Sequence, residues 1–114
     1  MVDELYSRQA PLVLDIPERA VVVGVGGVGA WVAIFLAMSG TKEIVLIDPD
    51  RVEESNLARI PLPRYQIGDA KVETVAELIG QLRPDCLVYR FVLRLSEVDY
   101  GLLQLGVVFD CTDS

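Results

Sequence analysis

The run Gly24-Val25-Gly26-Gly27-Val28-Gly29 constrains this chain more than any other feature in it. It follows a short β-branched run, Ala20-Val21-Val22-Val23, and opens an apolar stretch that reads as a helix from Gly27 to Ser39. The pattern is G-x-G-x-x-G in a strand–loop–helix setting. There Gly24 makes the tight turn, Gly26 lets the backbone approach a phosphate, and Gly29 lets the helix pack close on the strand. Gly27 stands at the helix start, where unpaired N–H groups and the positive end of the helix dipole favour an anion. The plainer alternative is a strand-to-helix turn that needs glycine for packing alone.

The rest of the chain alternates in the same way, which predicts a parallel sheet. The first helix is apolar almost all round and is expected to be buried, with Gly40 as its left-handed stop. A second strand, Glu43–Ile47, runs into Asp48. The polar stretch from Pro49 to Gly68 reads as a loop. A second helix is expected over 70–82, capped by Asp69 and ended by Pro84. Its apolar residues Val72, Val75, Ala76, Ile79 and Leu82 fall on one face, opposite Glu73, Glu77 and Gln81. Two further strands, Cys86–Val92 and Gly106–Asp110, complete the pattern. Right-handed crossovers then predict an α/β fold: a Rossmann-like, doubly wound parallel sheet of four strands in the order 3-2-1-4. Helices cover both faces, and the sheet is truncated after its fourth strand. We read residues 1–114 as one domain.

Composition removes several classes. With 10 Lys+Arg against 17 Asp+Glu the net charge is −7, which disfavours a non-specific nucleic-acid binder. The longest apolar run, Val28 to Met38, is far below the roughly 20 residues that span a bilayer, so no membrane role is expected. There is no histidine, which excludes a His-based triad or a His-containing zinc site within this chain. Cys86 and Cys111 form no CxxC pair, and the acidic start Met1-Val2-Asp3-Glu4 is unlike a signal peptide. Both point to a cytoplasmic protein with reduced thiols.

Asp48 lies 19 residues past Gly29 at the carboxyl end of the second strand, where an acidic side chain accepts hydrogen bonds from an adenosine ribose. To this point NAD, FAD and ATP are all permitted. Lys71 shifts the balance. It is one of two lysines and sits in the first turn of the second helix, where a cation opposes the helix dipole and so suggests an anionic partner. Asn56 and Arg59 are three apart, and one helical turn would point both the same way. With Lys71 they could hold a triphosphate.

Tyr6-Ser7-Arg8-Gln9, the loop Gly24–Gly29, Asp48-Pro49-Asp50, Ser55-Asn56-Leu57-Ala58-Arg59, Gly68 to Lys71 and Asp110-Cys111-Thr112-Asp113 occur in one order. Together they resemble the ThiF/MoeB/HesA family, similar to the adenylation domain of ubiquitin-activating enzymes. Ala58 and Ile60 depart from the family's Asn-Leu-Asn-Arg-Gln. The resemblance implies ATP-dependent adenylation of the C-terminal carboxylate of a ubiquitin-like or sulfur-carrier protein. It puts Asp48 on the ribose and the glycine loop near the nucleotide, with Asp50 lining the pocket. Asn56, Arg59 and Lys71 would contact the phosphates, and Asp113 would serve Mg²⁺. Arg8 matches an arginine that reaches into the partner's site, which implies a homodimer. Family members are about twice this length, so the chain reads as the N-terminal, nucleotide-binding part of a longer adenylyltransferase.

Two other readings use the same fold. An NAD(P)- or FAD-binding oxidoreductase module would employ the glycine loop and Asp48 but leave Lys71, Asn56 and Arg59 without a task. A non-catalytic Rossmann dimerisation domain would use none of them.

Overall fold

The computed structural model describes residues 16–54 and 67–112. Its elements are β1 (Arg19–Val23), α1 (Gly27–Met38), β2 (Glu43–Ile47), α2 (Lys71–Leu82) and β3 (Leu87–Phe91). A 3₁₀ turn (Leu95–Glu97), a short α3 (Tyr100–Leu103) and β4 (Val107–Asp110) follow. The four strands form a single parallel sheet in the order β3-β2-β1-β4, as expected. Val23, Ile47, Phe91 and Asp110 lie side by side in its register, so all four strands release the chain along one edge.

The two central strands are apolar on both sides because both of their faces are covered. On one face Ala20, Val22, Ile44 and Leu46 pack against α1 and α2. On the other, Val21, Val23, Val45 and Ile47 meet Leu93, Val98, Leu102 and Leu103 from the β3–β4 connection. That connection, with its four-residue helix, carries no visible periodicity in the sequence and was not expected to contain a helix. It is also a thin layer, leaving Tyr89 and Leu105 about half exposed.

Two expectations need correction. α1 is not buried all round: Val28, Trp31, Phe35 and Met38 form a solvent-facing stripe, with Val28 71% and Phe35 59% exposed. Its buried residues are Gly29, Ala30, Ala33, Ile34, Leu36 and Ala37. The small residues among them let the helix lie close to the strands, Ile34 and Leu36 join them in the core, and Val28, Trp31, Phe35 and Met38 face outward. Asp69, in turn, does not cap α2. The N-cap is Ala70, with no side-chain cap. The Asp69 carbonyl instead accepts the Val52 N–H at 2.7 Å, beside an antiparallel bridge between Arg51 and Ala70. This pairing commits Ala70 to extended backbone (φ −63°, ψ 134°) and starts the helix one residue later, at Lys71.

The end of α1 follows its prediction. Gly40 has φ +108°, its N–H reaches the Ala37 carbonyl, and the Thr41 N–H reaches that of Leu36. These two bonds make a Schellman stop.

Candidate functional site

At the edge where the strands end lies a cavity of about 470 Å³. Gly24, Gly26, Gly27, Asp48, Asp50 and Lys71 all line it, so most of the described candidate residues share one space. Its size is that of a small-molecule site, and its place beyond the carboxyl ends of parallel strands is where such folds bind ligands. Arg8, Asn56, Arg59 and Asp113 lie outside the described residues.

The glycines divide by task. Gly24 has φ +88°, and a Cβ there would meet the Cys111 carbonyl at 3.0 Å, so the turn and the neighbouring strand end both require glycine. A Cβ on Gly29 would fall on the Gly24 carbonyl oxygen and within 3.2 Å of the Cys111 Cβ. Gly29 therefore serves close packing, against the loop and the end of β4 rather than the strand itself. Gly26 is different. A Cβ there would meet nothing within 4 Å, and its backbone is extended with φ −71°. No internal contact requires glycine at position 26, which lines the cavity.

Gly26 is also the N-cap of α1, and no side chain caps the helix. The Ala30 N–H is the first to reach back, to the Gly26 carbonyl at 2.8 Å. The N–H groups of Gly27, Val28 and Gly29 precede that bond and have no intrahelical acceptor. α1 has no acidic residue in its first turn, so nothing on the helix neutralises this positive end. Such an end is suited to an anion.

Lys71 supplies a second positive group. It is only 9% exposed, and its Nζ stands 3.8 Å from Asp50 Oδ2, while the Asp50 side chain is 65% exposed. At that distance the pair is a loose one that leaves ammonium protons for another acceptor. Its backbone is fixed: the Lys71 N–H donates to the Asp50 carbonyl at 3.0 Å. Asp48 is 5% exposed, and its carboxylate accepts the Val25 N–H at 2.8 Å and the Asp50 N–H at 2.7 Å. Two of its four lone-pair sites remain to accept further hydrogen bonds.

Leu93, Arg94 and Leu95 form the cavity wall beyond β3. These residues were not singled out from the sequence. The one available signal was an arginine shortly after the carboxyl end of a strand, where ligands of such sheets sit. On the opposite wall is Cys111, whose thiol is pushed up by burial and, less, by the charge of Asp110. It is therefore a protonated thiol at neutral pH and not an activated nucleophile. Asp110 is held below the ordinary carboxylate range by the Thr112 hydroxyl, at 2.6 Å, and the Thr112 N–H.

Among the described residues no cluster of three or more metal-ligating side chains forms. Mg²⁺ needs no such cluster, being held in nucleotide sites by one or two carboxylates together with phosphate oxygens. Asp50, on the cavity wall, is a carboxylate of that kind.

Residues 17–114 match the model of the ThiF family. The chain belongs to the ThiF family. The tRNA threonylcarbamoyladenosine dehydratase of Escherichia coli K12 is 40% identical over 96% of the chain and 42% of its own length. The adenylyltransferase and sulfurtransferase UBA4 of Yarrowia lipolytica is 40% identical over 84% of the chain and 25% of its own. In structure, the E. coli dehydratase TcdA matches with a TM-score of 0.79 at 32% identity, over 97% of this chain and 51% of that one. E. coli MccB crystallised with ATP matches with a TM-score of 0.67 at 33% identity, over 73% of this chain and 25% of that one. The ThiF-family chain described here thus spans between a quarter and a half of the length of these relatives. Among the described residues no helix is long and apolar enough to cross a membrane.

Proposed function

We propose that this chain is the nucleotide-binding part of an enzyme that activates a carboxylate by adenylation with ATP. The observation that carries the reading is one cavity holding both the uncapped N-terminus of α1 and the buried Lys71. An NAD or FAD module has no use for that lysine.

In the reaction a carboxylate oxygen of the substrate attacks the α-phosphorus of ATP. The bond from that phosphorus to the bridging oxygen of the β-phosphate breaks, and pyrophosphate leaves with the electron pair. The products are an acyl-adenylate and pyrophosphate. Two anions must approach each other, so positive groups have to offset the charge that develops. The N–H groups of Gly27 and Val28 and the Nζ of Lys71 do this from the described part of the site. Asn56 and Arg59 add phosphate contacts, Asp48 takes the ribose, and Asp113 with Asp50 holds Mg²⁺, which supplies further charge neutralisation when bound. Arg8 acts across a homodimer, on the partner's nucleotide.

The substrate is the C-terminal carboxylate of a ubiquitin-like or sulfur-carrier protein. This fits the relative named as an adenylyltransferase and sulfurtransferase. A second reading is favoured by the wider match to a tRNA threonylcarbamoyladenosine dehydratase, which covers 96% of the chain. In it the activated group is carried by a modified tRNA nucleoside. We place it second because a chain of net charge −7 repels RNA phosphates.

A thermal-shift titration with ATP·Mg²⁺ and, separately, NAD⁺ tests the nucleotide. At 100 times its dissociation constant a ligand stabilises by about 2.7 kcal/mol, several degrees for a domain of this size. ATP·Mg²⁺ should produce this shift, and Lys71→Ala should remove it. A shift with NAD⁺ alone would replace the reading with the oxidoreductase one. Pyrophosphate release by the full-length protein, stimulated by a carrier protein or by modified tRNA, then decides the substrate.

A further inference from the structure

We propose that Asp48 is a positioning residue that holds the two halves of the phosphate site in register, a role separate from any contact with ribose. The inference rests on the nucleotide reading above only for its functional consequence. The geometry is independent of it. One oxygen of Asp48 accepts the N–H of Val25, in the glycine loop that leads into α1, at 2.8 Å. The other accepts the N–H of Asp50 at 2.7 Å. Asp50 in turn fixes the Lys71 backbone, its carbonyl accepting the Lys71 N–H at 3.0 Å, and its carboxylate stands 3.8 Å from the Nζ as a loose ion pair. The anion-binding end of α1 and the lysine that opens α2 are therefore tied to opposite oxygens of one carboxylate.

The chemistry requires a carboxylate. Val25 is fully buried and Asp48 is 5% exposed, so water does not replace the Val25 bond at low cost, while the Asp50 bond is partly buried. Two converging donors need two acceptors. An asparagine has the same shape but offers one acceptor and one NH₂, which must face a backbone N–H. Glutamate keeps both acceptors but is one methylene too long for the fit. Asp48→Asn should thus release one arm of the clamp while leaving the volume unchanged.

Two measurements test this on the full chain. The first is amide hydrogen exchange without any ligand, compared between wild type and Asp48→Asn. Exchange at Val25 or Asp50 should accelerate by about tenfold or more, the scale of one lost bond to a charged acceptor, while Val22 and Leu46 in the strands stay protected. Unchanged exchange at both Val25 and Asp50 would overturn the proposal. The second is affinity for inorganic tripolyphosphate, which has no ribose, beside affinity for ATP. A clamp predicts that Asp48→Asn weakens both by similar factors. Loss for ATP with tripolyphosphate unaffected would reduce Asp48 to a ribose ligand and overturn the positioning role. If the wild type binds neither probe, the nucleotide reading fails, and the exchange rates still decide the clamp. Should Asp48→Asn not fold, a through-hydrogen-bond coupling from the Val25 nitrogen to the Asp48 carboxyl carbon in the wild type supports the proposal. Its absence refutes it.

Discussion

α1 and α2 are each 12 residues long, cover the same face of the sheet and begin at the same cavity, yet they are built on opposite plans. α2 is amphipathic: Val72, Val75 and Ile79 are fully buried and Glu73 and Glu77 face water. α1 has no charged residue at all, buries its small residues together with Ile34 and Leu36, and turns Val28, Trp31, Phe35 and Met38 outward. Their N-termini break helix rules in different ways. α1 leaves its positive end uncapped, and α2 places a buried cation where the dipole disfavours one. Each departure has a local cost, and both fall on the cavity. In a chain whose other elements obey their local rules, such coincident departures mark the site rather than the fold.

The sharpest way to break the comparison is at the start of α1. Gly29→Ala would set a methyl group on the Gly24 carbonyl, a backbone atom that no rotamer change can move. We expect a loss of about 4 kcal/mol or failure to fold, read from the urea midpoint. Next comes the core of α2, where Ile79→Ala should cost about 3 kcal/mol through lost burial and the cavity left behind. Gly26→Ala separates site from fold. Its Cβ meets no protein atom, so stability should change by no more than about 1 kcal/mol, the scale of an N-cap substitution. The ATP·Mg²⁺ shift should nevertheless disappear. A Gly26→Ala protein that keeps that shift would show that no ligand approaches the backbone there. On the outer face of α1, Phe35→Gln should lie within about 0.5 kcal/mol of wild type, since the ring is mostly in solvent. A larger loss would mean that this stripe is covered in solution.

Much of this was legible in the sequence, for reasons tied to particular residues. The strand order follows from β-branched runs at 20–23 and 43–47 joined by helix-length segments, together with the handedness of crossovers. The turn task of Gly24 follows from its position at a strand end. Other features are tertiary and leave no local trace. Polarity does not mark which face of a uniformly apolar helix meets the sheet, so the outward stripe of α1 was hidden. The donors to Asp48 are backbone N–H groups, and any residue at positions 25 and 50 would present them. Asp69 reads as a cap until the pairing of Arg51 with Ala70 is known. Arg94 reaches the cavity only because β3 ends beside β2, which no motif records.

The smallest expected effect concerns pH, and it again sets the helices apart. None of the residues of α1 titrates, whereas α2 carries Lys71, Glu73 and Glu77. Acid sensitivity at the α1 side of the site must therefore come from the loops and strand ends, and Asp110, the last residue of β4, is the group that favours its charged form there. The Thr112 hydroxyl and N–H both donate to Asp110 Oδ1, which holds its carboxyl below the ordinary range. A carboxyl that is more acidic in the folded state than in the unfolded chain stabilises the fold above its unfolded pKa. That contribution fades as the pH falls through the folded value. Melting temperatures of wild type and Asp110→Asn should therefore differ near neutral pH and converge in acid. Because the side chain is exposed, the gap should be small and should shrink with added salt. A gap that persists unchanged into acid would mean that Asp110 acts through its shape and hydrogen bonds, with its charge irrelevant to the turn that ends β4.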